Sequence, residues 1–152
     1  MRTLLILLSL LGFIATANAA DSAGRVLKVL PLFLDLQGRE AKSPSLFDRD
    51  AYQVYLLAHT NEVSALRYDV QWQAAKNPAE KLKLRVELRS VGAANQPQLK
   101  TLEAEVTPGM FSQWTELTLG GEDYKKFGNV VAWRVTLWRG DQQLGEKKSF
   151  LW

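Results

Sequence analysis

Leu82-Lys83-Leu84-Arg85-Val86-Glu87-Leu88-Arg89 alternates apolar and charged residues without a break. A period of two sends the four aliphatic side chains to one face and the charges to the other, which describes a half-buried β-strand. Leu66-Arg67-Tyr68-Asp69-Val70-Gln71-Trp72 repeats the pattern. So do Leu102, Ala104 and Val106, and then Val131, Trp133, Val135 and Leu137. Breakers separate these runs at Asn77-Pro78, at residues 92–97, at Pro108-Gly109, at Gly120-Gly121 and at Gly140-Asp141. The last of these reads as a two-residue hairpin turn.

Working outward, residues 26–36 form an apolar run interrupted by Pro31. Proline cannot donate to a ladder, so this is expected to be an edge strand with a kink at Pro31. Residues 113–119 and 144–152 complete a set of seven strands. One segment departs from the period. Residues 45–59 place Tyr52, Tyr55, Leu56 and His59 at helical spacing, with Ser45 and Asp48 arranged as a capping box. The expectation is a mainly β, seven-stranded antiparallel immunoglobulin-like sandwich with one inserted helix near residues 45–59. Its core would hold the in-phase Leu, Val and Trp positions, with Trp72 and Trp133 both buried.

From residue 66 to 152 the layout resembles an immunoglobulin-like or fibronectin type III-like sandwich. Trp72 closes the first strong strand, a tyrosine-containing corner (Gly121-Glu122-Asp123-Tyr124) precedes the penultimate strand, and a tight hairpin joins the last two. The cysteine pair of antibody domains is missing, and the helix is an addition to the pattern. Residues 43–53, 66–72, 132–138 and 148–152 look similar to small secreted bacterial proteins of unassigned function. That resemblance implies the class and the compartment and transfers no functional residues.

The N-terminus gives the same address. Arg2, the apolar run from Leu4 to Ala15 and the small-x-small site Ala17-Asn18-Ala19 read as a signal peptide over residues 1–19. Residues 20–152 are then a single domain, secreted or periplasmic, beginning at Ala20. There is no cysteine to form a disulfide or to carry a lipid at the cleavage site. The net charge of +3 loses Arg2 with the leader and is a mixed surface, which disfavours nucleic acid as a partner. No second apolar stretch is long enough for a stable membrane span. A monomer or weak oligomer is expected.

Chemistry-bearing residues are sparse. His59 is the single histidine, and with no cysteine beside it neither a triad nor a zinc site can be assembled by the usual ligands. Its place on the helix predicts a half-buried histidine. Asp48 and Asp50 suit the helix N-terminus and lack the loop of a calcium site. No metal or cofactor is therefore expected. Arg139-Gly140-Asp141 resembles an integrin tripeptide, but a two-residue turn is too short to project it. Lys81, Lys83, Arg85 and Arg89 face Glu103 and Glu105 of the next strand as a cross-strand charge ladder. The candidate binding residues are Trp138 and Arg134, out of phase with the core and therefore outward beside Thr136, and Trp114 on another strand. Two outward tryptophans can stack on sugar rings or anchor a protein.

The expected function is a non-catalytic binding or accessory module whose partner is a protein or a glycan. A small secreted carboxylate-dependent hydrolase is the first alternative, although nothing selects a pair among the sixteen acids. A small outer-membrane β-barrel is the second, suggested by the ending Phe150-Leu151-Trp152.

Overall fold

The computed structural model describes residues 24–75, 81–91 and 96–152. The signal peptide at 1–19, the start at Ala20, the Asn77-Pro78 break and most of the 92–97 loop lie outside them. Two antiparallel sheets contain the seven strands. The first sheet has the order β1-β2-β5, with β1 Gly24–Asp35, β2 Val63–Ala74 and β5 Gln113–Gly120. The second has the order β4-β3-β6-β7, with β3 Leu82–Val91, β4 Pro97–Val106, β6 Asn129–Arg139 and β7 Gln142–Lys148. The strands thus lie in two separate sheets, not the single closed sheet of a barrel. Phe150 to Trp152 follow β7 and are not part of it.

Alternation builds the core as expected. Leu66, Tyr68, Val70 and Trp72 of β2 face Leu84, Val86 and Leu88 of β3 and Val135 and Leu137 of β6. Trp72 is fully buried, its indole Nε1 donating to Thr115 Oγ1 at 2.9 Å. Trp133 is only half-buried and meets Tyr68 edge to face at 6.4 Å between ring centres.

The alternation also misleads at one point. Val131, expected inside, is 45% exposed. A β-bulge between β3 and β6 pairs Arg89 with Ala132 and Ser90 with Val130, leaving Val131 as the extra residue. Val130 takes the inward place instead and packs on the core.

β1 is an edge strand, but its ladder to β2 runs unbroken through Pro31. The irregularities fall between Val26 and Lys28 and between Leu34 and Asp35, so the expected kink at Pro31 gives way to two flanking ones. The exposed edge is covered by helix α1, Leu46–Ala58. Gln53 of α1 accepts from the Phe33 N–H at 2.7 Å and donates to the carbonyls of Phe33, at 3.0 Å, and Glu40, at 2.8 Å. One side-chain amide therefore supplies the donor and acceptor that a neighbouring strand would. The helix buries Tyr52 and Leu56 against Val63. Phe47, Val54 and Leu57 remain exposed on it. Its N-cap is half the predicted box: Ser45 Oγ accepts from the Asp48 N–H, while the Asp48 carboxylate accepts from the Ser43 hydroxyl instead of returning to Ser45.

Among the described residues a second helix, α2, spans Gly121–Phe127 where a tyrosine corner was expected. Seven residues are too few to show a helical period. Glu122 and Asp123 in its first turn and Lys125 and Lys126 in its last complement its dipole.

The two sheets are pinched together along β1 and β7. A side chain on Gly145 would lie 2.7 Å from the Arg25 Cα, so only glycine lets the two backbones come this close. Lys147 Nζ donates to the Leu27 carbonyl at 2.9 Å beside it. Gly140, with φ +53°, forms the two-residue turn that joins β6 to β7, as the sequence predicts.

Candidate functional site

The tryptophans singled out by phase are not neighbours. Trp114 lies on β5 opposite Gln71, on the outer side of the first sheet, and is 50% exposed. Trp138 lies on β6 opposite Lys83, on the outer side of the second sheet. The whole sandwich separates them, so they cannot form one aromatic surface.

Trp138 and Arg134 do share a face, and its groups are already engaged. The Trp138 ring is half-buried under the Arg85 guanidinium, 5.5 Å from its centre. Its Nε1 donates to Oγ1 of the fully buried Thr136 at 2.7 Å. Arg134 Nε lies 2.7 Å from Glu87 Oε2, and its guanidinium carbon sits 4.8 Å from the Trp152 ring centre. Beside this face the predicted charge ladder forms with Lys81 on Glu105 at 3.1 Å, Lys83 on Glu103 at 3.3 Å and Arg85 on Glu103 at 2.7 Å, while Arg89, also expected in it, pairs with Leu99 and lies against the Trp152 ring. Exposed pairs of this kind add little to stability and carry no specificity.

His59 is exposed, not half-buried, because the helix ends there and His59 is its C-cap. The ring stacks on Tyr55 at 4.0 Å, with Nδ1 2.8 Å from the Tyr55 carbonyl oxygen. Among the described residues no three of His, Asp or Glu converge to hold a metal. No described helix is long and apolar enough to cross a membrane.

One buried acid stands out. Asp35 is 2% exposed at the end of β1. Burial alone pushes its carboxyl up. The Arg39 N–H and guanidinium, the Tyr52 hydroxyl and the Gln37 N–H outweigh that and lower it to about 2. The hydrogen bonds measure 2.9 Å from the Arg39 backbone and Nε and 2.8 Å from Tyr52. The bonds from Gln37 and Arg39 lock the turn, and the one from Tyr52 tethers α1 to it. The carboxylate has no open side for a substrate.

The space in the molecule lies elsewhere. At the end of the sandwich away from the Gly145 pinch, a pocket of about 440 Å³ opens between the sheets. Pro31 and Phe33 of β1, Leu66 and Tyr68 of β2, and Val130 and Trp133 of β6 form its body. Leu57 of α1, Thr60 just after it, Tyr124, Gly128 and Asn129 from α2 and the residues after it, and Val131 and Ser149 complete the rim. This volume is within the range of small-molecule sites, roughly 300–1,000 Å³. A second hollow of about 290 Å³ shares Thr60, Tyr124, Gly128 and Asn129 with it and adds Asn61 and Lys125.

Tyr68 is the unusual group in this lining. It is 1% exposed, and burial is the one influence acting on its phenol, with no hydrogen bond from the described residues. Burial alone pushes the phenol well above its ordinary range, so it stays protonated and can donate. The sequence reading took the in-phase Leu, Val and Trp positions as core and did not single out Tyr68. The signal was present: in Leu66, Tyr68, Val70, Trp72 it is a hydroxyl at a core position.

No protein-family model, curated protein or solved structure matches the chain. The reading of the site therefore rests on its geometry.

Proposed function

We propose that the chain is an exported, non-catalytic binding module that takes a small molecule in the pocket between the two sheets. The observation that carries this reading is the aromatic-walled pocket of about 440 Å³, lined by the Tyr68 and Trp133 rings, at the end of the sandwich away from the Gly145 contact. Its lining contains hydroxyls, an amide and apolar groups but no carboxylate, imidazole or amine. A carboxylate-dependent hydrolase would need acids in such a cleft, so the binding reading is favoured over the catalytic one. The leader-like residues 1–19 support export. The strand order, β1-β2-β5 against β4-β3-β6-β7, supports the immunoglobulin-like assignment.

The test is a small-molecule screen read by methyl and indole NMR on the purified protein. Binders should shift Leu66, Val130 and the Trp133 indole. Shifts confined to the Trp114 indole would move the site to the outer face of the first sheet. That second reading is favoured by the 50% exposure of Trp114 and has a protein or glycan as its partner.

A further inference from the structure

We infer that the pocket selects a neutral, largely apolar, ring-containing molecule bearing one hydrogen-bond acceptor, which receives the Tyr68 hydroxyl. The inference rests on the pocket being the binding site and adds the chemistry of what fills it.

The wall fixes the body of the ligand. Phe33, Tyr68 and Trp133 supply ring faces and edges, and Pro31, Leu66 and Val130 supply aliphatic surface. Such a wall gains most from a flat apolar body. The absence of any ionisable amine, guanidinium, imidazole or carboxylate from the lining fixes its charge. A charged head taken into this space would lose its water without gaining an opposite charge.

The acceptor follows from the unmet donor. Buried hydroxyls in native proteins are almost always hydrogen-bonded. Tyr68 is 1% exposed and lines the pocket, and burial is the one influence acting on its phenol, with no hydrogen bond from the described residues. The other polar groups are placed differently. Ser149 Oγ already accepts from the Trp133 N–H at 3.0 Å. Thr60 and Asn129 are exposed and keep water. The Tyr124 hydroxyl, the Trp133 indole N–H and the Ser149 hydroxyl proton also belong to the lining, but their residues are only half-buried, so Tyr68, 1% exposed, is the donor that solvent serves least and a ligand can best satisfy.

Three volume-matched probes separate the terms: 2-acetylnaphthalene, 2-ethylnaphthalene and 2-naphthoate, titrated against the full chain by calorimetry. The acetyl probe should bind about tenfold tighter than the ethyl probe, the size of one added hydrogen bond. Naphthoate should bind weakest. Tyr68→Phe should bring the acetyl and ethyl probes to within about twofold of one another while leaving the ethyl affinity unchanged. An independent readout in the unmutated chain is the Tyr68 ζ-carbon resonance, which should move with the acetyl probe and not with the ethyl probe. Equal affinities of the two neutral probes would mean that bound water already serves Tyr68, and would overturn the inference while the pocket stood. An acetyl advantage that survives Tyr68→Phe, or tightest binding of naphthoate, would overturn it as well. Failure of all three probes to bind would overturn the pocket reading itself, and this inference with it.

Discussion

The guanidinium carbon of Arg89 lies 4.0 Å from the centre of the Trp152 ring. With Arg134 4.8 Å away, the indole has two cations against it, and Arg134 is held in turn by Glu87. The residues after β7 therefore fold back onto the second sheet, starting from the Ser149 N–H bond to the Trp133 carbonyl at 2.9 Å. Trp152→Ala should lower stability by about 1 kcal/mol, the scale of partly exposed cation–π contacts. Urea unfolding of the two proteins measures this. No difference would mean that the ring rests on the sheet without holding it.

Asp35 predicts a defined acid response. Its carboxyl is lowered in the folded chain to about 2 from an ordinary 3.8. The unfolded chain takes up the proton first, so the stabilisation is complete above about pH 4 and is lost as pH falls through about 2. Asp35→Asn should flatten the stability profile across that window. Tyr52→Phe removes one donor and should move the Asp35 titration upward, which carboxyl NMR reads directly.

Gln53→Ala should strip the outer edge of β1. The Phe33 amide loses its acceptor, and its hydrogen exchange should accelerate sharply. The rest of the first sheet should keep its protection. The cost in stability should be about 1–3 kcal/mol, as for leaving a part-buried donor unmet. Unchanged exchange at Phe33 would show that α1 shields the edge without this side chain.

The two core tryptophans should part company. Trp72 is 1% exposed and hydrogen-bonded inside, so Trp72→Ala should cost about 3–5 kcal/mol. Trp133 already borders an open pocket, so its loss enlarges an existing space and should cost clearly less. Equal losses would mean that the pocket is closed in solution.

An outward Trp138 exposed as a binding anchor would make Trp138→Ala nearly neutral. The structure predicts otherwise. The change removes the donor to Thr136, which is fully buried, and the ring under Arg85. A loss of about 1 kcal/mol or more is expected by thermal or urea unfolding. A loss below about 0.5 kcal/mol would show that water replaces the indole at Thr136.

These contrasts show where sequence reading works. Period two marks Leu84, Val86 and Leu88 because pleat and burial are both local to one strand. It fails at Val131 because a bulge is a property of two strands paired out of step. It fails at residues 149–152 because what covers an outer face arrives from elsewhere in the chain. The helix at 121–127 was hidden by its length. The face of Trp138 was legible, but Arg85 over its ring was not. The pocket was the least legible feature. Its lining comes from β1, β2, β6, α1 and α2, and no window of sequence contains that convergence.

The Lys147 to Leu27 hydrogen bond joins residues 120 positions apart, at the place where Gly145 touches the backbone beside Arg25. β1 is made early in synthesis and β7 late. A nascent chain stalled before residue 142 lacks the strand against which β1 is pinched. Nothing shorter can complete the pinch, and contacts so remote along the chain are slow to form. The growing polypeptide thus stays incomplete, and open to whatever machinery handles it, until the last strand has been added.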